Sequence, residues 1–279
     1  MPYSKPSKAA LRSLLSRHFP AASAAAIFSS PGGLSGSAWR VNAGGRDLIA
    51  RVSPPGAQNG VTLSRLYRAL KRMPDTLAPR AHFLDSGWLV TDYLPGEVKP
   101  ALAPVPQLAS LLYHLHHQRR FGWRLHLLPL LEEYWQHSDP ARRTVRWLRA
   151  LKRLRRLGEP RPLRLAPLHM DVHAGNLVHH NGGLRLIDWE YAGDGDVALE
   201  LAAVWLADNE REALIHAYAR EAAISPVALG HQVARWRPWV GMLMAGWYEQ
   251  RWQQTGNRQF IALADEAWRQ LRVIRMKER

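Results

Sequence analysis

The first 95 residues alternate between stretches of helical and strand periodicity. Apolar side chains recur at helical spacing in residues 3–18 and again in residues 61–72. The remaining apolar runs are short, separated by glycine-rich turns, and typical of β-strands. These predicted strands are residues 38–41, 48–52, 82–84 and 88–94. We therefore expect residues 1–95 to form a small unit that contains an antiparallel sheet.

Beyond a proline-rich segment at residues 100–106, the apolar positions recur mostly at helical spacing. The predicted helices are residues 107–118, 126–137, 139–157, 196–207, 209–223, 226–255 and 258–275. The exception is residues 163–188, where two apolar runs, 163–168 and 184–187, flank polar and glycine-rich segments. The pattern predicts an α+β chain whose residues 96–279 form a larger, mainly helical second lobe. Ligands favour the cleft between two such lobes.

The composition limits the class of protein. Of the 279 residues, 47% are hydrophobic, which is enough for a folded core. The chain contains no cysteine, no apolar run of about 18 residues and no signal-peptide pattern. We therefore expect no disulfide, no thiolate metal site and no membrane partner, and we expect a cytoplasmic location.

The net charge of +15 and the isoelectric point of about 10.8 favour a polyanionic partner. Nucleic acid and a nucleoside triphosphate are both polyanions, so the net charge indicates the sign of the partner's charge and not its identity. The sequence does not indicate the oligomeric state.

Three oxygen-bearing side chains, Asp171, Asn176 and Asp188, fall close together in the sequence at the ends of short apolar strands. A hairpin would bring them together in space. Carboxylate and amide oxygens are ligands that Mg²⁺ prefers, and phosphoryl transfer requires metal-bound phosphates and a carboxylate near the attacking hydroxyl. A polar hairpin with Asp and Asn in its turns is the alternative, although the whole pattern from His169 to Glu190 favours the site.

This pattern, HMDVHAGN at residues 169–176 followed by LIDWE at 186–190, resembles the signature of the aminoglycoside phosphotransferase and choline kinase group. The resemblance implies a two-lobe protein-kinase-like fold and ATP and Mg²⁺ as cofactors. It implies that Asp171 orients or deprotonates the acceptor hydroxyl, that Asn176 and Asp188 hold Mg²⁺, and that His169 fixes the catalytic loop.

Further stretches, such as FGWR at residues 121–124 and DWEYAGDGD at 188–196, are similar to bacterial members of this group that phosphorylate thiamine. The resemblance implies thiamine as the acceptor and no nucleic acid partner. Choline, ethanolamine or an aminoglycoside remain alternatives as acceptor, and a non-catalytic RNA-binding protein on a kinase scaffold is an alternative from another class.

The nucleotide site follows from the same resemblance. The glycine-rich loop that would cover the phosphates comprises Gly33, Leu34, Ser35, Gly36 and Ser37, and an ordinary hairpin loop is the alternative for this segment. Arg51 stands where the group usually has a lysine for the α and β phosphates, and a surface role for Arg51 is equally open. The adenine would bind backbone groups near Asp92, Tyr93 and Leu94.

A thiazolium cation favours aromatic faces and nearby carboxylates. The candidates for such a wall are Trp189, Glu190, Trp205 and Trp247, although core packing is the alternative for each tryptophan. Asp194, Asp196 and Glu249 are further carboxylates that could lie near the cation.

Basic residues also recur at helical spacing in residues 142–156, and we expect them to share one face of a helix. That face is either solvated or contacts RNA.

Overall fold

The computed structural model describes residues 8–19, 27–29, 38–43, 45–52 and 62–277 of this chain. Its internal contacts divide it into two compact units. Unit 1 comprises residues 1–107, 117–121 and 169–192, and unit 2 comprises residues 108–116, 122–168 and 193–279. The functional boundary between residues 95 and 96 stays a prediction, since compactness does not measure which residues cover a nucleotide.

The strands are short. They are β1 (Ile27–Ser29), β2 (Ala38–Ala43), β3 (Arg46–Val52), β4 (Ala81–Asp85), β5 (Trp88–Asp92), β6 (Glu97–Val98), β7 (Leu165–Leu168), β8 (Leu177–His180), β9 (Gly183–Leu186) and β10 (Gly193–Asp196). The helices are α1 (Lys8–His18), α2 (Leu63–Leu70), α3 (Val105–His116), α4 (Leu127–His137), α5 (Val145–Leu157), α6 (Val197–Ala203), α7 (Asp208–Ala222), α8 (Pro226–Thr255) and α9 (Gln259–Lys277). The mixed α+β class is confirmed.

Unit 1 contains a five-stranded antiparallel sheet in the order β1-β2-β3-β5-β4. Leu11, Leu14 and Leu15 of α1 have the i, i+3, i+4 spacing of one helical face, and they pack in one core cluster with Leu48 and Trp88 of the sheet. The β4–β5 turn at Ser86 and Gly87 has positive φ at both positions, as a tight hairpin requires.

The second sheet of unit 1 contains a hairpin, as we expected for this region, but its first strand, β8, was not predicted. The predicted run 184–187 corresponds to β9, which pairs with β8, whereas the run 163–168 corresponds to β7, which pairs with β10 in unit 2. The missed signal is Asn181-Gly182, which has positive φ at both positions and is a typical two-residue hairpin turn. The hairpin brings Asn176 and Asp188 to the same end, because the Ile187 N–H donates to the Asn176 carbonyl at 3.1 Å.

Unit 2 is mainly helical, and α8 extends through it for 30 residues. Pro226 occupies the first turn after the Ser225 N-cap, and Gly256 ends the helix with a φ of +66°. Gly246 lies against Tyr134 of α4 so closely that a side chain there would collide with the ring. No helix among residues 8–19 and 62–277 is long and apolar enough to cross a membrane.

The predicted helix 139–157 is wrong at its start. Asp139 caps a short 3₁₀ turn at Pro140–Arg142, and α5 begins only after Thr144, whose hydroxyl accepts the Trp147 N–H at 3.1 Å. Arg142 therefore does not lie on the helical face that we expected it to share. Two competing caps in one short segment explain the interruption, since each cap begins its own helix.

Candidate active site

His169 attaches the start of the candidate catalytic loop to the residue before Asp188. Its side chain is fully buried, and its Nε2 lies 2.9 Å from the Ile187 carbonyl. A carbonyl only accepts, so Nε2 carries the proton, and Nδ1 is left to accept the Asp171 N–H at 3.3 Å. The His169 ring also packs edge-on against Trp189, with centroids 4.8 Å apart. These contacts give His169 a positioning role rather than contact with a reacting atom.

The Asp171 carboxylate is oriented from one side. Asn176 Nδ2 donates to Asp171 Oδ2 at 3.0 Å and to the Asp171 carbonyl at 2.9 Å. Within the part of the chain that the structure describes, Asp171 Oδ1 receives no hydrogen bond. One oxygen is thus fixed by the protein, and the other is available to an external hydroxyl.

His173 completes the surroundings of Asp171. Its Nδ1 accepts the Gly175 N–H at 3.1 Å, so the ring proton is on Nε2, which lies 3.7 Å from Asp171 Oδ2. A side chain at position 175 would collide with the His173 ring, which explains the glycine. The imidazole therefore faces the same oxygen that Asn176 holds.

Asp188 adopts a left-handed backbone conformation, with a φ of +68°. Met170, which precedes Asp171, has the same φ. Such conformations are costly for residues other than glycine and are concentrated at functional sites. Met170 thus precedes the predicted base and Asp188 is itself a predicted metal ligand, whereas the other described non-glycine residues with positive φ, Ser86, Asn181 and Ala223, lie in turns or at a helix end.

Arg51 connects the strand β3 to this region. Its Nη1 donates to Asp188 Oδ1 at 2.7 Å and to Glu190 Oε1 at 3.0 Å. The two carboxylates raise the Arg51 pKa by charge attraction and hydrogen bonding, against the opposing effect of burial. Arg51 is therefore not a solvated surface residue, since it is bonded to a predicted metal ligand.

Two side-chain oxygens are suited to Mg²⁺. Asn176 uses only its Nδ2 in the bonds above, which leaves its amide oxygen, and Asp188 uses Oδ1, which leaves Oδ2. No cluster of three or more histidine or acidic side chains suited to a metal occurs among the described residues. Protein Mg²⁺ sites commonly use one or two carboxylates together with substrate phosphates, so this donor set fits a metal that arrives with a nucleotide.

The predicted nucleotide residues divide into two groups. Gly33–Ser37 lie outside the described residues. At the end of β5, the Asp92 N–H donates to the Arg80 carbonyl and the Tyr93 N–H to the Asp47 carbonyl, both at 2.9 Å. These two amides are already bonded, whereas the Leu94 amide has no backbone partner among the described residues.

The predicted acceptor residues have different surroundings. Trp189 is 1% exposed and donates its indole N–H to the Leu186 carbonyl, which are the contacts of a core residue. Glu190 is half-buried and bonded to Arg51. In unit 2, Trp205 is 47% exposed, whereas Trp247 packs edge-on against Tyr248.

Three further carboxylates that we considered for the acceptor are buried in unit 2 and bonded there. Asp194 accepts the Gly122 N–H at 2.8 Å, and Asp196 accepts the indole of Trp236 at 2.9 Å. Glu249 is bonded to Arg142. These contacts give the three carboxylates structural roles.

Comparison with known proteins shows the family of this chain. The sequence profile described as the phosphotransferase enzyme family matches residues 30–239. The chain belongs to the phosphotransferase enzyme family. A relative in this phosphotransferase family, the thiamine kinase of Escherichia coli O157:H7, is 58% identical over 262 residues, which cover 93% of this chain and 94% of that protein. The resemblance drawn from the sequence is confirmed.

Solved structures show the same fold in other phosphotransferases. A choline kinase from Streptococcus pneumoniae aligns with a TM-score of 0.74 at 15% identity, over 95% of this chain and 99% of its own. A choline/ethanolamine kinase family protein from Mesorhizobium loti aligns with a TM-score of 0.74 at 19% identity, over 96% of this chain and 94% of its own. At these identities the likeness shows the fold, and the kinase-like fold class is confirmed.

The sequence analysis missed the partner of Arg51 in this phosphotransferase. Protein kinases pair the phosphate-binding lysine with a helical glutamate, and α2 contains no acidic residue. The structure supplies Glu190 instead, 139 residues from Arg51. The available signal was the missing acid in α2 together with Glu190, two positions after Asp188, which we had considered only for the acceptor.

Proposed function

We propose that this chain transfers the γ-phosphoryl group of ATP to the hydroxyl group of thiamine, giving ADP and thiamine phosphate. The observation that supports the reaction is the Asp171 carboxylate, which Asn176 holds at Oδ2 and which has Oδ1 available for an acceptor. The acceptor assignment rests on the thiamine kinase relatives, which are 58% identical over nearly the whole chain.

In the proposed reaction, the acceptor oxygen forms a bond to the γ-phosphorus while the bond from that phosphorus to the β–γ bridging oxygen breaks. The hydroxyl proton passes to Asp171 Oδ1, and the bridging oxygen leaves with ADP. Orienting the hydroxyl for in-line attack is the main contribution of the carboxylate, because phosphoryl transfer depends chiefly on positioning and charge stabilisation. His169 and Asn176 hold the loop in this position.

Asn176 Oδ1 and Asp188 Oδ2 are the groups that we assign to Mg²⁺. The ion would neutralise charge on the nucleotide phosphates. Arg51 uses Nη1 for Asp188 and Glu190, so we assign its Nη2 and Nε to phosphate oxygens. A guanidinium suits this role because it presents several N–H donors in a rigid plane.

The glycine-rich segment Gly33–Ser37 and the Leu94 amide complete the proposed nucleotide site. For the acceptor cation, we keep Glu190 as the candidate carboxylate because it lies two residues from Asp188. We keep Trp205 as the candidate aromatic contact because it is the most exposed of the candidate tryptophans. We place the enzyme in the cytoplasm, and neither nucleic acid nor a membrane is part of the proposed activity.

An acceptor panel tests the proposal. ADP release is measured with purified protein and Mg-ATP, with thiamine, choline, ethanolamine or kanamycin added separately. We expect release with thiamine and the appearance of thiamine phosphate in equal amount. Release with choline or kanamycin alone would retain the phosphotransferase reaction and refute thiamine as the acceptor. Thiamine-dependent release should be lost in Asp171→Asn, and Asp85→Asn, the same change at a half-buried position of unit 1, is the control for general effects of charge removal.

A further inference from the structure

The basic residues of the segment 142–156 do not share one environment, although the sequence pattern placed them on one face. Arg142 precedes α5 and is bonded to Glu249. Arg149 and Arg156 are exposed. Arg146 and Arg153, which are two turns apart on α5, line a cavity. Arg146 and Arg153 therefore have surroundings that differ from both alternatives in the sequence analysis, a solvated helix face and an RNA-contacting face.

The cavity lies among α5, α8 and α9 in unit 2 and has a volume of about 210 Å³. Much of its lining is apolar and includes Leu154, Trp239, Met242, Trp268 and Leu271. Trp239 is 2% exposed, so one wall is rigid core, whereas Trp268 is half-buried. An apolar wall with two indole rings favours a flat aromatic body.

The charges around the cavity are of one sign. Arg146, Arg153 and Arg235 line it, and its described lining contains no carboxylate. Arg146 donates to the Trp268 carbonyl at 3.0 Å, and Arg235 to the side-chain oxygen of Gln232 at 3.4 Å. None of the three arginines forms a salt bridge with the described side chains of residues 62–271. Three guanidinium groups with no carboxylate partner in the part of unit 2 whose side chains are described favour an anionic ligand.

The volume restricts the size of the ligand. A dry apolar cavity of about 150 Å³ holds benzene, whereas pockets for drug-sized ligands usually exceed about 300 Å³. The volume of about 210 Å³ therefore suits one aromatic ring with one small substituent. Thiamine does not fit these requirements, because its thiazolium cation would face three positive charges.

We propose that the cavity among α5, α8 and α9 binds a small organic anion that consists of one aromatic ring and one phosphate or carboxylate group. The ring packs against the tryptophans and aliphatic side chains, and the anionic group binds the guanidinium groups of Arg153 and Arg235. This site contains none of the residues that we assign to phosphoryl transfer.

Phenyl phosphate, benzoate and neutral phenol are the probes, and binding to the full chain is measured by isothermal titration calorimetry. A saturating, non-hydrolysable ATP analogue with Mg²⁺ is present, so that the nucleotide site is occupied. We expect phenyl phosphate or benzoate to bind at least about tenfold more tightly than phenol, since a charge-assisted bond is lost with phenol. Whichever of phenyl phosphate and benzoate binds more tightly shows whether the anionic group of the ligand is a phosphate or a carboxylate. Equal binding of phenol, or no binding of either anion, would refute the site.

Substitutions then locate the binding. Arg153→Gln and Arg235→Gln should each weaken anion binding about tenfold, and Ala150→Leu should block it by filling the cavity, which Ala150 also lines. Arg149→Gln removes the same charge from an exposed position of the same helix outside the cavity and should change binding less than twofold. Equal losses in Arg149→Gln and Arg153→Gln would contradict the proposal.

A second readout separates binding from folding. Far-UV circular dichroism checks each variant, and Arg153→Glu, an exposed charge reversal, replaces Ala150→Leu if the larger side chain unfolds the protein. The arginine variants should retain wild-type phosphoryl transfer at saturating substrates. Anion binding that survives Arg153→Glu unchanged would overturn the assignment of this cavity.

Discussion

Replacing Arg142 with methionine would leave a buried carboxylate without its main partner. Arg142 donates from Nε and Nη2 to both oxygens of Glu249, at 3.0 and 2.8 Å. The Glu249 side chain is 2% exposed, and after the substitution it would retain the indole N–H of Trp268 at 3.2 Å. Arg142 also contacts Asp265 at 2.7 Å, but the Asp265 side chain is 52% exposed.

The burial difference sets the expected magnitudes. Removing one partner of a buried ion pair costs roughly 3–5 kcal/mol, because the remaining charge is not compensated. An exposed pair contributes about 0–1 kcal/mol. We therefore expect Arg142→Met to lower the free energy of unfolding by roughly 3–5 kcal/mol and Asp265→Asn by about 1 kcal/mol or less. The first loss is a large fraction of a typical total of about 5–15 kcal/mol.

Urea denaturation of the full chain, followed by tryptophan fluorescence, measures both values. The double variant Arg142→Met/Glu249→Leu is the matched control, since replacing a buried ion pair with apolar groups is often neutral or stabilising. It should recover most of the stability that Arg142→Met loses. An Arg142→Met protein within about 1 kcal/mol of wild type, or a double variant less stable than the single one, would refute this reasoning.

Two further predictions concern the metal and the pH dependence. Asp188→Ala should raise the Mg²⁺ concentration needed for half-maximal activity, as measured by ADP release, and unchanged Mg²⁺ dependence would contradict the role of Asp188. Desolvation raises the pKa of Tyr218 above its usual 10.0, so the contribution of this neutral phenol to stability is fully present below pH 10.0 and is lost as the pH rises beyond it. Tyr218→Phe loses the 2.8 Å bond to His116 at neutral pH, and its stability deficit should narrow above pH 10.0. Urea unfolding at several pH values from neutral to alkaline checks this, and a constant deficit would count against it.

Local signals predicted much of the fold. The bounds of α8 at Pro226 and Thr255 follow from a proline in the first turn and a glycine after the last residue. The order of α2, β4 and β5 follows from periodicity and the Ser86-Gly87 turn. Strand β8 was missed although Asn181-Gly182 is a strong turn signal, because β8 is only four residues long and two of them are histidines.

Contacts between distant residues could not be predicted in the same way. The catalytic loop is local, so Asp171 and Asn176 could be proposed from the continuous pattern between His169 and Glu190. Arg51 meets Glu190 across 139 residues, and Arg142 meets Glu249 across 107 residues. Periodicity reports on neighbours within one helix or strand, so neither of these two ion pairs could be predicted from a single sequence. For the same reason the sequence could not show which tryptophans are core, as Trp189 is, and which are exposed, as Trp205 is.

The role of Asp171 is tested most directly by single-turnover phosphoryl transfer from Mg-ATP to thiamine, with wild type and Asp171→Asn compared. ATP binding is measured for both by calorimetry. The account predicts that Asp171→Asn binds ATP as wild type does and transfers the phosphoryl group about 10²–10⁴-fold more slowly, since a positioned base contributes about that much. Transfer at the wild-type rate by a folded Asp171→Asn protein would contradict the proposed mechanism.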